Sequence, residues 1–147
     1  MNDLLLKLKK EVPEFWEYEE FDNLLTVDFD RLGSFILKLF SNLLESNTIS
    51  EKENVEKVII KIFDFLNRMH SSRDNNYLIL LNVCIFESLI SSNNGYFVAK
   101  KYMSDELYNS FLTKFPFSIY KNSWDDSEYY TEEEFDELIK RIASDKE

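Results

Sequence analysis

The stretch VEKVIIKIFDFLNRM, residues 55–69, decides the fold. Val55, Val58, Ile59, Ile62, Phe63, Leu66 and Met69 recur at steps of 3, 1, 3, 1, 3 and 3, the period of an α-helix with one apolar face. Just upstream, Ser50-Glu51-Lys52-Glu53 reads as a capping box, in which Ser50 and Glu53 would satisfy each other's free N–H groups. Arg68 falls in the last turn, where the helix dipole favours a cation, and the helix is expected to stop near His70 or Ser72.

The same period extends in both directions. From Asp28 onward, Leu32, Phe35, Ile36, Leu39, Phe40 and Leu43 step along one face. Gly33 interrupts them at a propensity cost of about 1 kcal/mol, which a close approach by a neighbouring helix or ring would explain. Nearer the start, Leu4, Leu5 and Leu8 predict a short amphipathic helix. Pro13 ends it and opens the next, since a first helical position needs no N–H. Phe15, Trp16, Tyr18, Phe21, Leu24 and Leu25 place one greasy face over residues 14–25. Downstream, Asp74 is positioned to cap a helix over 75–90. This helix is apolar almost all round from Leu78 to Phe86 and so is expected to be the most buried element. A turn over 91–95 leads to a short helix over 96–103. Ser104 then opens another to about Phe115, with Leu107, Tyr108, Phe111 and Leu112 inward. Pro116 breaks the pattern and 116–130 read as irregular. Thr131 and Glu134 form a second capping box before Phe135, Leu138, Ile139 and Ile142. The expectation is an all-α single domain over 1–147, a multi-helix bundle or helical-repeat-like array of about seven helices. Residues 1–115 would be its main body, and 116–147 an irregular segment plus a C-terminal helix.

Composition narrows the function classes. The chain has 147 residues, is 44% hydrophobic and 31% charged, and carries a net charge of −11. Phosphates would be repelled, which argues against non-specific nucleic-acid binding. One cysteine cannot form an internal disulfide. One histidine and one cysteine cannot build a zinc site, and two glycines rule out a Gly-rich phosphate loop. The longest apolar run, Tyr77 to Phe86, falls well short of the roughly 20 residues that cross a bilayer. The opening MNDLLLKLKK lacks the layout of a secretory signal, so a cytoplasmic location without membrane attachment is expected. Cys84 reads as a small buried apolar residue, His70 as a residue at a helix end, and Glu87 as exposed or internally hydrogen-bonded. Asp125-Asp126-Ser127-Glu128 lacks the ligand spacing and central glycine of a calcium loop. No catalytic, cofactor-binding or metal-ligating set is expected.

The acids are unevenly placed. Residues 11–30 hold Glu11, Glu14, Glu17, Glu19, Glu20, Asp22, Asp28 and Asp30 with no base. Residues 122–137 hold Asp125, Asp126, Glu128, Glu132, Glu133, Glu134, Asp136 and Glu137, again with no base. Residues 31–121 carry nine acids and eleven bases, so the middle is nearly neutral. Both tryptophans lie in the acidic stretches. Carboxylates that steer, interleaved with rings that anchor, suit a protein partner with a basic surface. Glu14, Glu17, Glu19, Glu20, Asp22, Asp125, Asp126 and Glu128 are the candidate docking acids. Trp124, Tyr129 and Tyr130 are the candidate anchors. Phe15, Trp16 and Phe21 also read as ordinary core, and the acids also read as a solvated face.

Four segments, Val12-Pro13-Glu14-Phe15, Ile62-Phe63-Asp64-Phe65-Leu66 with Met69, Asn82-Val83 followed by Phe86-Glu87-Ser88-Leu89, and Ala99-Lys100-Lys101-Tyr102-Met103, carry a resemblance by their order and spacing. In these the chain resembles a family of small all-helical bacterial proteins found among the immunity proteins of polymorphic-toxin and contact-dependent inhibition systems. The resemblance covers residues 12 to about 103, and the tail from about Phe117 looks like an addition to it. It implies no enzyme activity and no cofactor, and a cognate toxin domain as partner, often a nuclease with a basic cleft. An acidic phage-type inhibitor that mimics nucleic acid, or a helical adaptor without inhibitory role, would share much of this sequence logic.

Overall fold

A computed structural model describes residues 3–18 and 24–120, together with Glu133 and Glu137. The described residues are all-α, with no strand among them. The expected C-terminal helix and the residues Glu19, Glu20, Asp22, Trp124, Asp125, Asp126, Glu128, Tyr129 and Tyr130 lie outside the described residues, apart from Glu133 and Glu137, which are helical and exposed.

Helices α1 (Asp3–Glu11) and α2 (Pro13–Tyr18) form as the leucine spacing and Pro13 predict. Leu4, Leu5, Leu8, Val12 and Phe15 are buried. Helix α3 (Leu25–Glu45) starts three residues earlier than its apolar period suggested, so Leu25 opens it instead of closing the preceding helix. Helix α4 (Ile49–Ser71) holds the deciding stretch. Its cap is Thr48, not Ser50: the Thr48 side chain accepts from the Glu51 N–H at 3.1 Å, and the Glu51 carboxylate accepts from the Asn47 N–H at 3.2 Å. The box therefore sits two residues upstream of the expected one, because the β-branched Thr48 takes the extended backbone an N-cap needs.

Asp74 caps α5 (Asn75–Leu80) as expected, accepting from Asn76 and Tyr77 N–H. The helix then enters a π-helical segment, Leu81–Phe86, before α6 (Glu87–Leu89). This register change was not legible in the sequence, and the expectation that 75–90 would be the most buried element does not hold, since α7 is buried over more of its length. Leu80, Leu81, Cys84, Ile85, Phe86 and Leu89 point in, while Ile79 and Val83 are 58% and 49% exposed. Helix α7 (Asn93–Tyr102) begins inside the stretch read as a turn. Ser104 caps α8 (Asp105–Lys114) through the Leu107 N–H at 3.2 Å. Part of the stretch read as irregular forms the short helix α9 (Phe117–Tyr120).

The buried side chains make one connected core from Leu4 to Phe111. α3 and α4 form its central antiparallel pair, and the π segment lies across α3. Gly33 is where α6 comes closest: a Cβ there would stand 2.5 Å from the Ser88 Cβ, the close approach its presence in α3 implied. An aromatic cluster closes the far end. Phe111 meets Phe86 edge-on at 5.1 Å and Tyr96 at 4.9 Å, and the Tyr96 hydroxyl donates to the Phe115 carbonyl at 2.7 Å. Asn67 of α4 accepts from the Ser104 N–H at 3.0 Å, which fixes the α7–α8 corner on the central pair.

Candidate functional site

The acids of the first stretch do not share one fate. Glu11 is paired with Arg68, and Glu14 with the Lys61 ammonium at 2.7 Å. Both bases come from α4, so the counter-charges missing from residues 11–30 in sequence arrive through the fold. The Glu14 carboxyl is held below its ordinary range, although partial burial pulls the other way; Lys61 supplies the lowering through hydrogen bond and charge. Asp28 is fully buried, with Arg31 at 3.7 Å. Glu17 and Asp30 are exposed. Of the candidate docking acids, then, Glu14 is a helix-to-helix tie and Glu17 faces solvent. Among the flanking rings, Phe15 is core, and Trp16 is partly exposed beneath the Lys9 ammonium at 4.2 Å.

Two surfaces stand out. The first surrounds the π segment. Ile79, Val83 and Glu87 follow at four-residue intervals and are all exposed. Beneath them lies Cys84, its thiol 3.5 Å from the Thr26 carbonyl of α3. Asp30 of α3 and Glu87 of α6 both come close enough to that thiol to disfavour its ionisation. Ile79 and Val83 thus form an exposed apolar ridge that runs on to the Glu87 carboxylate, and Leu24, 58% exposed, stands at the end of α3 whose Thr26 meets Cys84. π turns frequently coincide with functional positions. Sequence pattern alone missed this ridge, since an all-apolar run looks the same whether it is buried or presented.

The second surface is a cleft of about 530 Å³ between α3 and α4. Phe35, Leu39, Val55 and Val58 form its apolar part, with Lys38, Asn42, Asn54, Lys57 and Lys61 around it and Glu14 at one end. It exists because α4 buries a full stripe only from Ile59 onward, leaving Val55 and Val58 half-covered. The signal for it was present but unread: Lys57 and Lys61, and Lys38 and Asn42, are spaced four apart beside the apolar stripes.

Among the described residues no three His, Cys, Asp or Glu side chains are grouped to hold a metal ion, and no helix is long and apolar enough to cross a membrane. Burial, aided by Asp30 and Glu87, pushes the Cys84 thiol up to about 12. Burial also raises Tyr96 and Tyr102, the latter helped by its hydroxyl's hydrogen bond to Glu56 at 2.5 Å. In the unfolded chain these groups ionise near about 8.5 for a thiol and 10 for a phenol. The folded chain keeps its protons there. Their contribution is therefore complete below about pH 8 and is lost as pH rises, by at most about 1.4 kcal/mol per pH unit for each group. Urea midpoints are expected to fall steadily between about pH 9 and 11. A midpoint that is flat across that window would contradict the burial of these groups.

No family model, curated protein or solved structure matches this chain. The described residues define an acidic all-α fold with an exposed apolar ridge that ends in the Glu87 carboxylate.

Proposed function

We propose that the chain works by binding, as an immunity-type inhibitor that neutralises a basic toxin domain, a nuclease being the best chemical fit, in the cytoplasm. The observation that carries this reading is the exposed pair Ile79 and Val83, with the exposed carboxylate of Glu87 following at the same four-residue step. Apolar side chains that leave water on contact supply affinity, and carboxylates around them select a basic counterpart and discourage others. The overall charge of −11 adds long-range attraction toward the same kind of surface. Acids placed against a nuclease cleft stand where substrate phosphates would lie, which blocks turnover without any chemistry by the inhibitor.

Co-expression with the product of the adjacent gene tests this directly. The expected result is relief of that product's toxicity and co-purification of the two proteins. Association should slow at least tenfold when ionic strength is raised from about 0.05 to 0.5 M, as charge steering is screened. Reversing Glu17, Glu19 and Glu20, or Asp125, Asp126 and Glu128, should lower the on-rate in the same direction. Unchanged rate constants in both variants would remove steering from the account, and toxicity that persists despite co-expression would remove the inhibitor reading.

A further inference from the structure

From the cleft between α3 and α4, we infer a second binding site, one that takes a medium-length apolar chain ending in a carboxylate. Its volume of about 530 Å³ falls within the roughly 300–1,000 Å³ of small-molecule sites. Its floor is made by Phe35 and Leu39, with Val55 and Val58 half-exposed above them. In a chain of net charge −11, this lining gathers three lysines and one carboxylate. That carboxylate, Glu14, is already paired with Lys61. Lys38 on α3 and Lys57 on α4 remain, on opposite walls, without a carboxylate partner among the described residues. Lysine stems of this kind cover apolar surface while the ammonium stays in water, and both residues are exposed.

The chemistry of the lining selects the ligand. An anionic head would be met by two point charges, and an apolar tail by the phenyl and branched side chains below. Among the described residues the lining has no arginine fork of the kind that favours phosphate. The span along α4 from Asn54 to Lys61 is seven helical steps, about 10 Å at the rise of an α-helix. That is under two turns, too short to seat a partner helix, and it suits an alkyl chain of moderate length. This site lies on a different helix pair from the ridge and does not depend on the proposed inhibitor role.

Titration calorimetry of the full chain with decanoate below its micelle concentration tests the inference. Saturable one-to-one binding is expected. Lys38→Glu with Lys57→Glu should weaken it at least tenfold, since the double reversal replaces two attractive charges by two repulsive ones. Val58→Trp, which fills the cleft, should abolish it, and decyltrimethylammonium should bind at least tenfold more weakly than decanoate. No saturable heat up to about 1 mM, equal affinity for the cationic probe, or undiminished binding by the lysine double variant would each overturn the site. Circular dichroism on each variant separates lost binding from lost fold, as the lysines are exposed.

Discussion

Gly95→Ala is expected to leave little or no folded protein. A Cβ at this position would stand 1.7 Å from the Leu89 carbonyl oxygen, 2.5 Å from its carbon and 2.8 Å from the Leu89 Cα. These are backbone atoms of α6, so no side-chain rotation relieves the clash, and α7 must separate from α6. Overpacking that side chains can absorb costs about 1–3 kcal/mol. Here the backbone itself must move, and the loss should exceed about 4 kcal/mol, a large share of the roughly 5–15 kcal/mol that holds a domain together. Urea denaturation followed by circular dichroism reads the effect. Gly33→Ala provides the contrast. Its new Cβ would meet Ser88 Cβ at 2.5 Å and Oγ at 2.6 Å, with the Cys84 carbonyl at 3.3 Å. Ser88→Gly removes the first two atoms, so the cost of Gly33→Ala should fall by about 1 kcal/mol or more in that background. Wild-type stability in Gly95→Ala would mean that α6 and α7 do not meet as described.

The second large effect is expected at Phe111. This ring is fully buried and contacts Phe86, Tyr96 and Phe115, so it joins α8 to the π segment, to α7 and to the chain beyond. Phe111→Ala should cost about 3–5 kcal/mol, through lost burial and the cavity left behind. Loss should reach the π segment too, because Phe86 loses the edge-on partner 5.1 Å away. Hydrogen exchange at Leu81–Phe86 should therefore accelerate in this variant more than exchange in the middle of α4. A cost under about 1 kcal/mol would place Phe111 outside the core.

The helical body was legible because its signals are local. The 3.6-residue stripe of α4, Pro13 between α1 and α2, and the caps at Asp74 and Ser104 each follow from residues within a turn of one another. What was not legible depends on which helix faces which. The cap at Thr48 instead of the expected Ser50 rests on the extended backbone at Thr48, which sequence alone does not display. The apolar run 77–86 gave no hint of a π turn, nor of which of its side chains, Ile79 and Val83, would face outward. Glu14 looked like part of an unopposed acidic run, and only the packing of α2 on α4 brings Lys61 to it. The lysine-edged cleft is a product of two consecutive helices packed together, and neither stripe shows it when read alone. The acidic character that motivates a basic partner was fully legible, since net charge needs no fold.

The most direct test of the account combines Ile79→Asp with Val83→Asp and measures affinity for the co-expressed product of the adjacent gene. Both side chains are exposed, so circular dichroism and the urea midpoint should stay within about 1 kcal/mol of wild type. Affinity should fall at least a hundredfold, as expected when central apolar contacts of an interface become buried charges, and protection from toxicity should be lost. Undiminished affinity and full protection in the folded double variant would contradict the ridge as the binding face.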